Sequence, residues 1–471
     1  MLNEFEFRDW LVLNKSYSQK VVKDIVCRLN RVNRYLGLNQ NLKIDSYYEI
    51  IADISASSSV KSQLRRSIRL YFEFLEFYHS HTELTNEITN PIKVCSMFSN
   101  IGVAEAYLEK IGFDVVVANE LEERRAKLYS SIYPRTEMIV GDITNQDVFD
   151  MFVEKSKSKN VDVLMATPPC QGMSTAGRQQ IDDDRNMLIL PVIDAVELIN
   201  PKYVFIENVP MFLKTSIFVE GENKLIIDFL QEKLSEKYRF SISSIDVSDF
   251  GVPQSRERAI ILLTRIDLDL IWEIPTPDGK KVTLRDAIGH LPDLDPFIKD
   301  LNEEERNKIF PFFSEKRAKA LKISKWHEPP HHIFRQVEVM QHTASGETAF
   351  DNEVFYPRKA DGTAVKGYRN TYKRQSWDRP AYTVTMDNRK ISSQNNVHPG
   401  RKITTKNGEN IYSDARTLTL YEIMLIMTIP ENWNIPDNAP EAFVRRIIGE
   451  GIPPLFVKKV FDNLSGIRGM E

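Results

Sequence analysis

The sequence contains very little cysteine. Its 471 residues include three cysteines, at positions 27, 95 and 170, and their spacing fits neither a disulfide framework nor a cysteine-rich zinc site. The sequence also has no secretory signal pattern, no apolar run long enough to span a bilayer, no low-complexity tract and no internal repeat. We therefore expect a cytoplasmic protein, away from the membrane, with about three domains of roughly 150 residues each.

The chain also lacks a large excess of charge of either sign. It has 62 Lys and Arg against 66 Asp and Glu, a formal net charge of −4, so any surface for nucleic acid must be local. The clearest asymmetry lies between residues 355 and 406, where 12 basic residues face three aspartates and alternate with tyrosines and Trp377. This stretch is predicted to form a nucleic-acid face.

A glycine-rich dinucleotide motif, G-x-G-x-x-G, is missing as well. The chain has instead a predicted strand over residues 93–98, a turn over 99–102 and a predicted helix over 103–111, which together resemble the opening unit of a nucleotide-binding sheet. Without the glycines a pyrophosphate cannot approach the backbone closely. An NAD-dependent oxidoreductase is therefore the least favoured of the activities considered.

Two carboxylates follow the next predicted strands. Glu120 comes after the strand 115–118, and Asp142 comes after a strand over 138–140. A carboxylate at the second strand end of such a sheet can accept hydrogen bonds from ribose hydroxyl groups. The sequence therefore predicts a nucleoside site at this edge of the sheet.

The stretch Val161–Ser174 presents a cysteine in the same way. Residues 161–165 form a predicted buried strand, and Pro168 and Pro169 stop it just before Cys170. Since reactive groups in open parallel sheets gather beyond the carboxyl ends of the strands, the thiol is predicted to face a crevice. Taken alone, a single cysteine is more often an inert small apolar residue.

The following strand brings a carboxyl group to the same edge. Residues 203–206 form a predicted strand that ends at Glu207, and a crossover helix over 186–199, closed by Asn200 and Pro201, makes the two strands parallel neighbours. A thiol and a carboxyl group in one crevice suit covalent catalysis assisted by an acid.

Three motifs in order carry a family resemblance. PPCQ at 168–171, ENV at 207–209 and QSRER at 254–258 resemble the motifs of the DNA cytosine-5 methyltransferases, and the resemblance extends from Ile92 to the C-terminus. It implies an α/β fold with a doubly wound, mostly parallel sheet, a smaller irregular target-recognition domain and, in this chain, an added N-terminal all-α domain. It also implies S-adenosylmethionine as cofactor and double-stranded DNA as substrate.

The resemblance assigns roles to four catalytic residues. The thiolate of Cys170 is expected to add to C6 of cytosine, which makes C5 nucleophilic toward the methyl group. Glu207 is expected to hydrogen-bond N3 and the exocyclic amine. Arg258 is expected to bind the cytosine O2, and Arg256 to help hold the thiolate and backbone phosphates, because arginine suits planar multidentate recognition.

The resemblance also implies which residues bind the cofactor and the DNA. The predicted cofactor-binding residues are Phe98, Ser99, Asn100, Gly102, Glu120, Leu121, Asp142, Ile143, Pro168 and Leu188. The predicted DNA-binding residues are Gln171, Ser174, Arg178, Gln254, Arg379 and Thr383. No metal is expected, because His327, His331 and His332 lack a matched ligand spacing.

The sequence departs from the family pattern at four positions. An acidic residue and a richer glycine turn are usual where this chain has Ser96, Asn100 and Val103, and an asparagine is usual where it has Glu450. Asn tolerates the left-handed backbone better than most residues, so the turn can survive. Affinity for the cofactor is the property that these departures affect.

Four domains are predicted: an N-terminal helical domain over residues 1–90, a catalytic domain over 91–265, a target-recognition domain over 266–415 and a C-terminal return over 416–471. In the first, Lys61, Arg65 and Arg69 recur every four residues on one helix face. They indicate either a solvated face or an accessory module that contacts DNA or a partner.

Two alternative functions and one loop hypothesis remain open. An RNA cytosine-5 methyltransferase carries the same motifs, and a DNA-binding member with weak catalysis would keep the fold. The loop 171–185 is predicted to be a lid that closes behind a flipped base. The protein is expected to act as a monomer on DNA, with cognate restriction or defence proteins as possible partners.

Overall fold

The computed structural model describes residues 7, 10, 11, 15, 17, 19–36, 44–86, 91–169, 184–405 and 408–464. Its N-terminal part is helical, as predicted. The helices are α1 (Gln19–Leu36), α2 (Ile44–Asp53) and α3 (Ser58–Asn86). Their apolar stripes meet in a separate core that includes Ile25, Leu29, Tyr47, Ile68 and Tyr71. The short helix α2 was not predicted.

Two of the three predicted basic residues of the N-terminal part hold its helices together. Lys61 Nζ donates to the carbonyl of Ala52 at 2.6 Å, and Arg65 Nη2 donates to the carbonyl of Tyr48 at 3.3 Å. The carbonyl of Ala52 lies in the last turn of α2, where a cation complements the helix dipole, and Tyr48 lies in the middle of the same helix. Arg69 Nε lies 3.5 Å from Glu73 on its own helix.

The next region alternates strands and helices. In chain order its elements are β1 (Ile92–Met97), β2 (Phe113–Glu120), α4 (Glu123–Ile132), β3 (Glu137–Val140), α5 (Gln146–Ser158), β4 (Val163–Ala166), α6 (Leu190–Ile199), β5 (Tyr203–Asn208), the hairpin β6 (Ser216–Val219) and β7 (Glu222–Leu225), α7 (Ile226–Leu234), β8 (Tyr238–Asp246) and β9 (Glu257–Arg265). Helix α6 ends at Asn200 in the left-handed conformation, where the sequence predicted its end.

Seven of these strands form one mixed sheet in the order β3-β2-β1-β4-β5-β9-β8. The five strands from β3 to β5 are parallel, as the predicted crossovers require, and β9 is antiparallel to both β5 and β8. Both faces of the sheet are covered. Val204 and Ile206 pack toward α6 and α7, whereas Tyr203 and Phe205 pack toward the other face. The carboxyl ends of β1, β2, β4 and β5 therefore lie side by side at one end of the sheet, which we call its open edge.

The predicted helix over residues 103–111 is wrong. In an α-helix the amide of Ala106 would donate to the carbonyl of Gly102, but that carbonyl accepts from Tyr133 Oη at 2.6 Å. The amide of Ala106 bonds Val103 instead, and the amide of Leu108 bonds Glu105, so the chain forms tight three-residue turns. Within this segment only Glu109–Ile111 is assigned as a helix, and it is a short 3-10 helix.

The remaining chain has short elements joined by long irregular segments, as its prolines predicted. These elements are α8 (Leu284–Ile288), β10 (Phe297–Ile298), α9 (Glu303–Ile309), α10 (Phe313–Ile323), β11 (His331–His332), α11 (Phe334–Gln341), β12 (Lys402–Thr404), β13 (Asn410–Tyr412), α12 (Leu420–Ile426), α13 (Glu441–Glu450) and α14 (Pro454–Asp462). Helix α14 returns to pack Phe456, Val460 and Phe461 on the sheet. No helix among the described residues is long and apolar enough to cross a membrane.

The basic stretch 355–406 contributes to the interior as well as to the surface. Arg374 is completely buried, and its guanidinium donates to the carbonyls of Met340, His398, Ser413 and Asp414. These bonds join segments that lie far apart in sequence. Part of the charge asymmetry that predicted a nucleic-acid face is therefore structural, while Lys359, Lys366 and Lys402 stay exposed.

Candidate active site

The polypeptide that leads to Cys170 is fixed on the open edge of the sheet. Strand β4 ends at Ala166, and Thr167 then bonds the first strand through its amide, to Met97 at 3.3 Å, and through its hydroxyl, to Phe98 at 3.1 Å. Pro168 is buried. Cys170 lies beyond this point, outside the described residues. So do three of the predicted DNA-binding residues, Gln171, Ser174 and Arg178. The predicted lid also lies largely outside the described residues.

Glu207 and Arg258 form an ion pair at the same edge. Arg258 Nε lies 2.5 Å from Glu207 Oε1, and both side chains are about nine-tenths buried, with 11% and 12% of their surface exposed. The register explains the contact, because Glu207 pairs with Ile260 and Arg258 is two residues away on the same face of β9. The carboxylate is thereby held in one orientation.

Asn208 connects this ion pair to the proline loop. Its Nδ2 donates to the carbonyl of Pro168 at 3.0 Å, across the boundary between β5 and β4. Glu207 precedes Asn208, and Pro168 lies two residues before Cys170. The end of β5 and the segment that leads to Cys170 are therefore held next to each other, and the convergence of the thiol with the Glu207 carboxylate remains a prediction.

Arg256 is placed differently from Arg258. Its Nη1 donates to the carbonyl of Val384 at 2.8 Å, and its Nη2 donates to those of Gly449 and Glu450 at 3.1 and 3.3 Å. The sequence predicted that the two arginines point the same way, but their guanidinium groups contact different parts of the chain. A direct role of Arg256 at the thiolate remains a prediction.

Gln254 corrects the predicted DNA contacts. Its side chain is completely buried; Oε1 accepts from the amide of Val384 at 3.0 Å and Nε2 lies 2.9 Å from the sulfur of Met427. A side chain enclosed in this way cannot reach a DNA strand. Its backbone forms a parallel bridge with Ala381, and Ser255 adds a 2.8 Å bond to the same residue. We call residues 253–256 and 381–384 the seam.

The other predicted DNA-binding residues on this side lie at the surface. Arg379 and Thr383 are both exposed. The hydroxyl of Thr383 donates to the carbonyl of Ser255 at 2.9 Å, so its position is set by the seam. The DNA contacts of both residues remain predictions.

The turn after β1 has a strained backbone. Phe98 and Asn100 have φ values of 59° and 54°, and Gly102 has 78°. A Cβ on Gly102 would lie 2.1 Å from the ring of Tyr133, so only glycine fits there. Ser99 is buried, with its amide and hydroxyl both 3.0 Å from the carbonyl of Asn119. The left-handed conformation expected at Asn100 is therefore present.

Glu120 lies beside this turn. Its Oε2 accepts from the amide of Asn100 and its Oε1 from the amide of Glu122, both at 2.9 Å. Burial raises the pKa of the Glu120 carboxyl, against the opposing effects of the Glu122 amide and the charge of Arg125. The Oδ1 atom of Asn100 is buried and has no hydrogen-bond partner among the described residues. An acceptor of this kind next to a carboxylate fits a ligand with hydroxyl or ammonium donors.

The remaining predicted cofactor residues have mixed environments. Asp142 is exposed, and its Oδ1 accepts from the amide and the hydroxyl of Thr144 at 2.9 and 2.8 Å. Ile143 packs in the core of the sheet, whereas Leu121 is 63% exposed. Leu188 is half-buried in a 3-10 helix, Asp184–Ile189. The sequence could not show which of these side chains stay accessible to a ligand.

A buried carboxyl group that the sequence analysis did not predict, that of Glu105, lies next to the turn after β1. Glu105 is 3% exposed and accepts from Ser96 Oγ at 2.5 Å and from the hydroxyl of Tyr129. Burial raises the pKa of Glu105 to about 7, although both hydrogen bonds lower it. Ser96 is the position where the resembling family has an acidic residue. Glu105, nine residues further along the chain, therefore places a carboxyl group beside Ser96.

This carboxyl group predicts a pH dependence of stability. The folded-state pKa of Glu105 is raised from 4.5 to about 7. The contribution of this carboxyl group to the free energy of unfolding is therefore fully present below pH 4.5 and is lost as the pH rises through 7. We expect Glu105→Gln to remove a loss of about 3 kcal/mol over that interval. Urea unfolding at pH 5, 6, 7 and 8 measures it, with the exposed Glu154 changed to Gln as control. An unchanged pH slope in Glu105→Gln would contradict the assignment.

The chain is similar to known proteins over most of its length. A family model described as C-5 cytosine-specific DNA methylase matches residues 92–466. The Type II methyltransferase M1.HgaI of Avibacterium volantium is 40% identical over 370 residues, which cover 78% of this chain and 96% of that protein. The Type II methyltransferase M.NgoPII of Neisseria gonorrhoeae is 25% identical over 377 residues, covering 77% of this chain and 92% of that protein.

A solved structure agrees with the fold. It is described as a DNA modification methyltransferase encoded within a prophage of E. coli, and it superimposes with a TM-score of 0.55 at 18% sequence identity. The match covers 80% of this chain and 99% of that one. At this identity the likeness concerns the fold alone.

Proposed function

The chain belongs to the C-5 cytosine-specific DNA methylase family, and from this premise we propose its reaction. The protein transfers a methyl group from S-adenosylmethionine to C5 of a cytosine that is flipped out of double-stranded DNA, through a covalent bond between Cys170 and C6. The relatives that are named Type II methyltransferases support a place in a restriction-modification or related defence system.

One observation carries this proposal. The Asn208 side chain bonds the carbonyl of Pro168, and so holds the proline loop beside the paired Glu207 and Arg258. Covalent catalysis on a pyrimidine needs a nucleophile and a group that bonds the ring to be fixed relative to each other. The segment that leads to Cys170 and the Glu207–Arg258 ion pair lie at the same end of the sheet, which supports this proposal.

The chemistry proposed for Cys170 and Glu207 balances as follows. The thiolate forms a bond to C6, and the electron pair that is displaced makes C5 a nucleophile. C5 takes the methyl group, whose bond to the sulfonium sulfur of the donor would break to leave S-adenosylhomocysteine. The C5 proton then leaves to a base, and the bond between the Cys170 sulfur and C6 breaks to restore the thiolate. Glu207 bonds N3 and the exocyclic amine while charge develops on the ring.

Arg258 orients the Glu207 carboxylate in this scheme, and its predicted contact with the cytosine O2 is retained. A partly buried, charge-assisted contact of this kind restricts the carboxylate more than a surface pair would. The base therefore meets a carboxyl group that needs little reorganisation.

The residues that fit the cofactor are those around the turn after β1. S-adenosylmethionine would supply the methyl group when bound. Glu120 is proposed to hold the ribose hydroxyls, since each of its oxygens has a backbone donor that fixes it. The Oδ1 atom of Asn100, which has no hydrogen-bond partner in the described part of the chain, is an acceptor suited to the ammonium group or a hydroxyl.

The test uses purified protein, S-adenosylmethionine with a tritiated methyl group, and duplex DNA beside transfer RNA of equal base concentration. We expect label in DNA, recovered after hydrolysis as 5-methylcytosine, and bisulfite sequencing then maps the sequence context. Label confined to RNA, or found on an amino nitrogen of a base, would overturn the proposal.

A further inference from the structure

We infer that Arg125 and Glu450 form a positioning pair that fastens the C-terminal segment to the strand end carrying Glu120, and so closes the cofactor side of the site. This inference rests on the proposed function, because it concerns the same cofactor. The two residues are 325 positions apart in sequence. Neither was predicted to act with the other.

The ion pair is well defined and shielded. Arg125 Nη1 lies 2.8 Å from Glu450 Oε2, and Arg125 Nη2 lies 3.0 Å from Glu122 Oε1. The side chains of Arg125 and Glu450 are 14% and 16% exposed. Ion pairs that are withdrawn from solvent in this way are screened less by salt than surface pairs are. One guanidinium thus bridges the first turn of α4 and the end of α13.

The backbone around Glu450 is wedged between two parts of the site. On one side, the carbonyls of Gly449 and Glu450 accept from Arg256. On the other, Gly451 approaches Val103 so closely that an added Cβ would lie 3.0 Å from the valine side chain. Val103 directly follows Gly102 of the turn. The C-terminal segment therefore contacts the turn through its backbone and α4 through the Glu450 side chain.

Arg125 also acts on Glu120 electrostatically. Its guanidinium contacts Glu122 and Glu450, and its positive charge opposes the effect of burial on the pKa of Glu120. The orientation of Glu120 is tied to the same turn of α4, because its Oε1 accepts from the amide of Glu122. Loss of Arg125 would leave three carboxylates close together without their common cation.

The ion pair with Arg125 explains why a glutamate fits at position 450 of this chain. The resembling family has an asparagine at this position, and a neutral side chain could not form an ion pair with Arg125. The acidic residue in this chain is thereby matched by a basic residue on a distant helix. Replacing Glu450 by the family asparagine tests whether the charge matters or only the polar group.

The test is a double-mutant cycle in the full-length protein. The variants are Arg125→Met, Glu450→Asn and the double variant, and the control is Arg446→Gln. Arg446 contacts the same carboxylate at 3.4 Å, but its side chain is 56% exposed. Calorimetry gives the Kd for S-adenosylmethionine, steady-state kinetics gives KM and kcat, and thermal unfolding reports the fold.

We expect each single variant to raise Kd and KM for S-adenosylmethionine by roughly 10- to 50-fold, as for a lost hydrogen bond to a charged group. The affinity of the double variant for S-adenosylmethionine should be little lower than that of the weaker single variant. In all three variants kcat should change less than about threefold, and in the Arg446→Gln control Kd should change less than about twofold. Equal affinity in Arg125→Met and the parent, or a loss confined to kcat, would overturn the inference.

Hydrogen exchange of the ligand-free protein separates this inference from the proposed function. In Arg125→Met we expect faster exchange in peptides that cover both residues 98–103 and 448–452. If the parent protein does not bind S-adenosylmethionine, the proposed function fails while the exchange result still decides the pair. Unchanged exchange in both segments would remove the pair whatever the parent binds.

Discussion

Cys170→Ala is expected to lower methyl transfer to DNA by at least about a thousandfold, because the variant lacks the atom that would bond C6. Cytosine C5 is a poor nucleophile until that bond forms, and the methyl side chain of alanine cannot form it. The parent and the variant should bind duplex DNA with similar affinity, since the loss concerns the reaction. Tritiated methyl incorporation and a gel-shift titration measure the two quantities.

The control for this prediction is Cys27→Ala. Cys27 is an exposed free cysteine in α1, and its removal should leave the rate within about twofold of the parent. A second measurement uses duplex DNA with 5-fluorocytosine, whose C5 fluorine cannot leave as a proton does. The parent should then form a complex that survives denaturing electrophoresis. A Cys170→Ala variant with more than a tenth of the parent activity, or with the same complex, would end the covalent mechanism.

Glu207→Gln is expected to reduce kcat by about 10² to 10⁴, the range typical of a lost general acid or base. The amide keeps the shape of the side chain but cannot share a proton with N3, and it loses the charge that Arg258 now holds at 2.5 Å. KM for S-adenosylmethionine should change little, because the residues proposed to bind the cofactor lie around the turn after β1. Single-turnover kinetics with saturating cofactor measures the chemical step.

A matched control and a second variant sharpen this prediction. Glu257 is an exposed glutamate at the start of β9, and Glu257→Gln should leave kcat within about twofold. Arg258→Lys removes the planar guanidinium, and together with Glu207→Gln it should cost little more than Glu207→Gln alone, since paired residues act as a unit. Additive losses would mean that Arg258 contributes mainly through its own contact with the cytosine O2 and not by orienting Glu207.

The sequence predicted the open edge of the sheet well because that edge depends on local patterns. Apolar runs that end at prolines or acidic residues located β4 and β5, and the length between them required a crossover helix. The register then follows from pairing along neighbouring strands. Asn208 was visible in its motif, but its bond to Pro168 could be inferred only once those two strands were known to be adjacent.

The errors concern side chains whose partners are distant in sequence. Gln254 was predicted to contact DNA, and the guanidinium of Arg256 was predicted to point the same way as that of Arg258. Their observed partners, Val384 and Gly449, lie more than a hundred residues away in the sequence. Residues 103–111 have an apolar pattern that fits a helix, but the carbonyl of Gly102, which the first turn of that helix would use, accepts a hydrogen bond from Tyr133. Local propensity is a weak guide wherever a long-range hydrogen bond competes for the same backbone group.

The seam has a consequence for any attempt to redirect sequence specificity by exchanging recognition regions between relatives. A graft cut between Arg379 and Thr385 would take the two sides of the bridge at Ala381 from different parents, and the backbone amide that donates to the buried Gln254 would then depend on the fit of the graft. Junctions placed outside this stretch, so that both flanks come from one parent, should yield folded chimeras more often than junctions within it.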